Sequence, residues 1–208
     1  MVWSGWSRAG KTEDEALAAL VTSADRYAAV AKRAGAAFDA PASVDNLRVV
    51  ERLRGGSGTD FGIPSLPAST DAKPMSTAEL RRQLRLLEAA WATFDAAAAG
   101  ARGLELRKGP RGGGRTLTKI VTHVLEAEEA YRHQLGSRPP RVPSGASVAT
   151  RMAAERKTAL ASLELLVGGE PLPDPNKVRR PWTPRYFVRR SAWHAIDHAW
   201  EIEDRAVR

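Results

Sequence analysis

"SAWHAIDHAWEIEDR", residues 191–205, places two of the chain's four histidines one helical turn apart, near the end of its 208 residues. On a helix, successive residues advance by about 100°. With His194 as origin, His198 falls near ~40°, Phe187 near ~20°, Glu201 near about −20° and Arg190 near about −40°. Val188, Ala195, Ala199 and Ile202 centre near ~110°. The two histidines therefore lie at the edge of an apolar stripe. An i, i+4 pair lets two imidazoles meet one metal ion. The same spacing also describes two hydrogen-bonded or surface histidines, and spacing alone leaves both readings open. Glu201 continues the row as a further ligand, as a carboxylate orienting a histidine, or as a surface acid.

A third histidine lies some seventy residues earlier, in "TKIVTHVLEAEEAYRHQLG" (118–136). Leu117, Ile120, Val124, Ala127, Tyr131 and Leu135 form the apolar side of that helix. His123 stands at its margin, whereas His133 lies nearly opposite and is expected to face solvent. Three inward histidines from two helices would make a three-histidine site with open positions, the arrangement of a catalytic rather than a structural metal. The chain has no cysteine, so a metal site must be built from His, Asp or Glu. Asp197 and Glu126 fall near the site edge on their wheels, as weak candidates for general-base or supporting roles.

Outward from these two segments the chain reads as mostly helical. Alanine is abundant and β-branched residues are sparse. Four long helices are expected at 76–99, about 115–135, about 146–167 and about 183–205, the material of a four-helix bundle. Ser76 with Glu79 has capping-box spacing, and Gly168–Gly169 end the third. Upstream, "KTEDEALAALVTSADRYAAVAKRAG" (11–35) reads as one helix capped by Thr12. "VWSGWSR" reads as the end of a strand turning at Gly5, and "DNLRVVERL" (45–53) as a second strand. "RGGSGTDFGIPSLPASTDAKP" (54–74) is rich in Gly, Pro, Ser and Thr and reads as a linker.

The net charge of +8 comes from scattered arginines, without the aromatic–basic interleaving of an RNA-binding surface. No stretch approaches the ~20 apolar residues of a membrane span, and the N-terminus lacks the apolar core of a secretory signal. The expectation is a cytoplasmic protein with a small-molecule substrate, acting on neither membrane nor nucleic acid.

"GRTLTKIVTHVLEAEEAY" (114–131), followed by "RYFVRRSAWHAIDHAWEIEDR" (185–205), resembles the DinB-like superfamily of four-helix, metal-binding proteins. The resemblance implies that His123, His194 and His198 bind a divalent metal, zinc or nickel. It also implies chemistry on a low-molecular-weight thiol co-substrate in some relatives, with Arg190, and less so Arg189, holding an acidic group of that thiol. A salt bridge to Glu201 or another acid is the plainer role for these arginines. Relatives often pair, so a homodimer is implied too. "WSGWSRAGKTEDEALAAL" (3–20) is similar to the strand–turn–helix of HicB-like antitoxin domains, with its opening strand almost absent. Trp3 and Trp6 are expected to be packing residues. Trp193 and Trp200 are expected to dock the N-terminal unit or a second subunit.

The expected architecture is mainly α. A small HicB-like α/β unit (strand–helix–strand, 1–54) and a linker (55–75) precede an up-down four-helix bundle of DinB type (76–208). The expected function is a metal-dependent thiol S-transferase or hydrolase, with Glu201, Arg190, Asp197 and Glu126 as candidate catalytic groups. The alternative is a non-catalytic, metal-stabilised binding or regulatory module with an antitoxin-like N-terminal part.

Overall fold

A computed structural model describes residues 3–108, 114–173 and 175–207. Among these residues the chain forms helices α1 (Glu13–Thr22), α2 (Ala24–Arg33), α3 (Ser57–Asp60), α4 (Thr77–Gly100), α5 (Leu117–Gln134), α6 (Val148–Gly168) and α7 (Pro184–Arg205). No helix among them is long and apolar enough to cross a membrane. The four long helices begin where side-chain oxygens can satisfy their first free amides. Ser76, Thr116, Ser147 and Thr183 each accept a hydrogen bond from the backbone N–H three residues on, an N-cap worth about 1 kcal/mol. Pro184 adds a pre-set φ at the first position of α7. Gly169 ends α6 at φ +81°, which suits a residue without Cβ.

These four helices pack as a ring of neighbours, α4 on α7, α7 on α5, α5 on α6 and α6 on α4. Helix α7 is buried nearly all round: Phe187, Val188, Ala192, Ala195, Ile196, Ala199 and Ile202 are all in the core. A helix covered on every side must be enclosed by more than its bundle partners. Here the N-terminal residues and the 55–75 stretch supply the extra cover. Arg189 reaches Asp71 and the carbonyls of Pro64 and Leu66, and the Tyr186 hydroxyl donates to the Ser65 carbonyl at 2.7 Å.

The strand–helix–strand unit expected at 1–54 is not formed, and no strand occurs among the described residues; the only pairing is one isolated bridge between Leu106 and Ala206. Residues 47–56 form no helix or strand, and Val50 is 75% exposed. An alternating apolar pattern makes a strand only where another strand accepts its hydrogen bonds. The single helix expected over 11–35 is broken at Ser23. There the Leu20 carbonyl is taken by the Ser23 hydroxyl at 2.8 Å and by the Trp6 indole at 3.2 Å. The HicB-like unit therefore has no counterpart here.

What stands in its place is an aromatic cluster docked on the bundle. Trp3, Trp6 and Tyr27 each lie 5.0–5.1 Å, centroid to centroid, from Phe38. The Tyr27 hydroxyl donates to the Ser4 carbonyl, and the Ser4 hydroxyl donates to Gln83 of α4 at 2.6 Å. Gly5 turns with φ +91°, so close to α7 that a Cβ would lie 2.6 Å from Ile196 Cδ1. The guanidinium groups of Arg8 and Arg26 both lie over the Trp200 ring, at 4.2 and 4.7 Å from its centroid. It thus docks the N-terminal segment, one of the two roles expected of it.

One buried acid makes stability depend on pH. Glu128 is buried against Arg156, which also grips Asp95. Burial pushes its carboxyl up to about 7, despite the opposing pull of Arg156. A raised carboxylate pKa means that the folded state holds the proton more tightly than the unfolded chain does. Stability is lost as pH rises from the unfolded value near 4.5 through the folded value. Glu128→Gln is expected to gain about 3 kcal/mol on the wild type between pH 4 and pH 8. Urea titrations at a series of pH values read this slope, and parallel curves for the two proteins would contradict it.

Candidate metal centre

Helix α5 brings His123, and α7 brings His194 and His198, to one place. One ring nitrogen from each lies within 4.8 Å of the others. The Nε2 atoms of His123 and His194 are 3.3 Å apart. Two nitrogens bound to one tetrahedral ion at ~2.1 Å stand about 3.4 Å apart, so that edge already has the span a divalent ion requires. Ring centroids are separated by 5.2, 5.0 and 4.5 Å around the triangle.

At His194 and His123 the surroundings favour the neutral imidazole, the form that ligates metal. Burial holds His194 well below the usual histidine value, helped by the charges of His198 and His123. Burial also lowers His123, with Arg115 adding to the effect. Glu201 Oε2 sits 2.7 Å from His198 Nδ1. This contact, helped by Arg205, holds the Glu201 carboxyl below the usual carboxylate range. An ionised carboxylate only accepts hydrogen bonds, so His198 Nδ1 carries a proton toward it, and Nε2 is the ring atom left to ligate a metal. Glu201 is anchored in turn by Arg205, which also donates to the carbonyls of Arg107 at 2.8 Å and Arg115 at 2.9 Å. Glu201 thus orients a histidine, one of the three roles its position allowed. His194 Nδ1 is buried without a hydrogen-bond partner.

The triad opens onto a cavity of about 840 Å³. Helix α5 contributes Ala127 and Tyr131 to its wall, and α7 contributes Arg190, Trp193 and Asp197. Residues 7–9 and 61–63, far from the bundle in sequence, close the remaining side. The arrangement can hold a divalent ion with positions left over for a small molecule beside it.

The other candidates fall differently. Arg190 is buried on the cavity wall and does not pair with Glu201, because Glu201 is held by His198 and Arg205. Arg189 does pair with an acid, Asp71. Asp197 lines the cavity but is tied to Arg8 at 3.1 Å. Glu126 is exposed and does not line the cavity. His133 is exposed, as its wheel position implied.

Sequence reasoning passed over Tyr131 and Arg8. Tyr131 had a signal, since it follows His123 by two turns on the same helix, and its ring lies 5.6 Å from that of His194. Arg8 had none. It reaches the cavity only because the Gly5 turn lies on α7.

No curated protein and no solved structure matches the chain. The sequence model of the DinB superfamily matches residues 86–202, from within α4 almost to the end of α7. That span is more than half of the chain and contains all three clustered histidines. On this match the chain belongs to the DinB superfamily.

Proposed function

We propose that this protein is a divalent-metal-dependent enzyme, with His123, His194 and His198 as ligands of zinc or nickel, acting as a low-molecular-weight-thiol S-transferase or a hydrolase. One observation carries the reading: three imidazoles converge at the wall of an open cavity. A purely structural site would be closed by a fourth protein ligand. An ion held there lowers the pKa of a thiol or water beside it. The chain's own residues do the rest. Glu201 fixes the His198 tautomer, and Arg205 fixes Glu201. Tyr131, Trp193 and the 61–63 segment wall off bulk water and shape the space for a small substrate. A cytoplasmic location goes with this reading. The up-down order of the four helices also belongs to it, as the arrangement that sets α5 beside α7.

A second reading, the non-catalytic regulatory module, drew on the strand–helix–strand unit, and no strand is formed there among the described residues.

The test is a conjugation and hydrolysis screen on zinc- and nickel-loaded protein. It uses cysteine, glutathione and N-acetylcysteine with chlorodinitrobenzene, and nitrophenyl acetate for hydrolysis. Turnover by wild type that is absent in His123→Ala supports the enzyme. Equal rates in both proteins, or no turnover in either, return the choice to the non-catalytic module. Glu201→Gln is expected to keep the fold and weaken metal binding by about 10–100-fold, read by competition with a chromogenic chelator.

A further inference from the structure

Arg190 is 8% exposed, yet it has no carboxylate partner among the described residues. Its neighbour Arg189 shows how the fold treats a buried guanidinium: Asp71 pairs with it and two backbone carbonyls accept from it. The acids around Arg190 are engaged elsewhere, Glu201 with His198 and Arg205, Asp197 with Arg8, and Asp71 with Arg189. Aromatic rings set the plane of the Arg190 guanidinium, Trp193 at 4.5 Å and Tyr131 at 5.2 Å. Its Nη1 is buried without a hydrogen-bond partner. A buried guanidinium without a carboxylate is costly; the Tyr131 and Tyr186 hydroxyls answer it only in part, being neutral, and the cavity that Arg190 lines has room for an anion.

The balance of charge points the same way. Arg8, Arg115 and Arg190 line the cavity against a single acid, Asp197. Arg8 gives Nη1 to Asp197 and keeps Nε and Nη2 buried without partners. A low-dielectric cavity with this lining concentrates anions. A planar guanidinium is matched by a carboxylate, which can take two parallel hydrogen bonds. The remaining wall is aromatic, so the body of the ligand is apolar or flat.

We propose that the cavity takes a small organic carboxylate, its anionic end held by Arg190 with Arg8 in support, and its other end directed at the three histidines. This rests on the reading of the cavity as the substrate site. It makes Arg190 a residue that selects substrate, and it gives the N-terminal segment a part in that selection.

The experiment titrates metal-free protein with phenylacetate and with the neutral phenylacetamide, following tryptophan fluorescence and calorimetry. Phenylacetate is expected to bind and phenylacetamide to bind much more weakly. Arg190→Gln is expected to lose about 10–100-fold in phenylacetate affinity, the worth of one charge-assisted contact. If that variant unfolds, Arg190→Lys keeps a charge without the fork and is expected to fall between the two. His133→Ala, on the exposed side of α5 and outside the cavity, is expected to bind phenylacetate as the wild type does. The proposal is overturned if the acid and the amide bind alike, or if Arg190→Gln binds normally. Loss of binding in His123→Ala but not in Arg190→Gln also overturns it, since the carboxylate then depends on the histidines alone. A protein that binds phenylacetate through Arg190 but takes up no metal sinks the metal reading and leaves this one standing. Mercaptosuccinate against succinate on metal-loaded protein identifies the source. Tighter mercaptosuccinate binding places the carboxylate on the thiol, and equal binding places it on the acceptor.

Discussion

Alanine in place of His194 is expected to abolish stoichiometric zinc or nickel binding. His194 is the central member of the triad, with its Nε2 3.3 Å from that of His123 and its ring closest to that of His198. Without it, two imidazoles on different helices remain, and the one acid lining the cavity, Asp197, is already paired with Arg8. Loss of a residue that merely orients a ligand weakens metal binding by about 10–100-fold, so loss of a ligand should exceed that range. The measurement is elemental analysis of untagged protein, with the thermal midpoint taken with and without metal. Wild type should rise in stability when metal is added, by about 2.7 kcal/mol at a hundredfold excess over Kd. The variant should not respond. His133→Ala, on the exposed side of α5, serves as the control and should behave as wild type. Metal retained by the His194 variant at wild-type stoichiometry would remove the site from the proposal.

Asp71→Ala is expected to cost about 3–5 kcal/mol, among the largest losses any single change should cause here. Asp71 is 4% exposed and pairs with Arg189, itself buried on α7. Oδ2, the oxygen that takes Arg189 Nη2, also accepts from the Ala68 amide at 2.8 Å, so Asp71 shapes its own turn. Removing it strands a guanidinium in the interior and frees the stretch that covers the start of α7. The corresponding fall in Tm is roughly 6–20 °C for a chain of this size. Asp71→Asn keeps the shape and part of the hydrogen bonding, and should lose less. Glu13→Ala breaks an exposed pair with Arg52 and should leave Tm nearly unchanged. Equal effects from Asp71→Ala and Glu13→Ala would show that the buried pair does not hold the segment in place.

The long helices were legible because their signals are local. A Ser or Thr cap, a run of strong helix formers, a 3.6-residue apolar stripe and a terminal glycine all act within a few residues of one another. The predicted ends of α4 to α7 agree with the observed ones to within a residue or two. The wheels set His123, His194 and His198 at the margins of inward faces and left a metal site and paired histidines both open; the family resemblance pointed to the triad that the structure brings together. The N-terminal region failed where the deciding partner is distant. Leu47 and Val49 alternate as in a strand, but among the described residues no second strand comes to meet them. The break at Ser23 depends on the Trp6 indole, which arrives from outside the helix.

From its sequence alone, this protein determines four capped helices, their inward faces and three histidines at the margins of those faces. Each of these follows from backbone periodicity and from side chains bonding to their own turn. Only the tertiary structure decided that Glu201 serves His198, that Asp71 answers Arg189, and that Arg190 lines a cavity whose single acid, Asp197, is paired with Arg8. Pairings of buried charges depend on which distant segments come to share the low-dielectric interior, and no local rule of spacing records that.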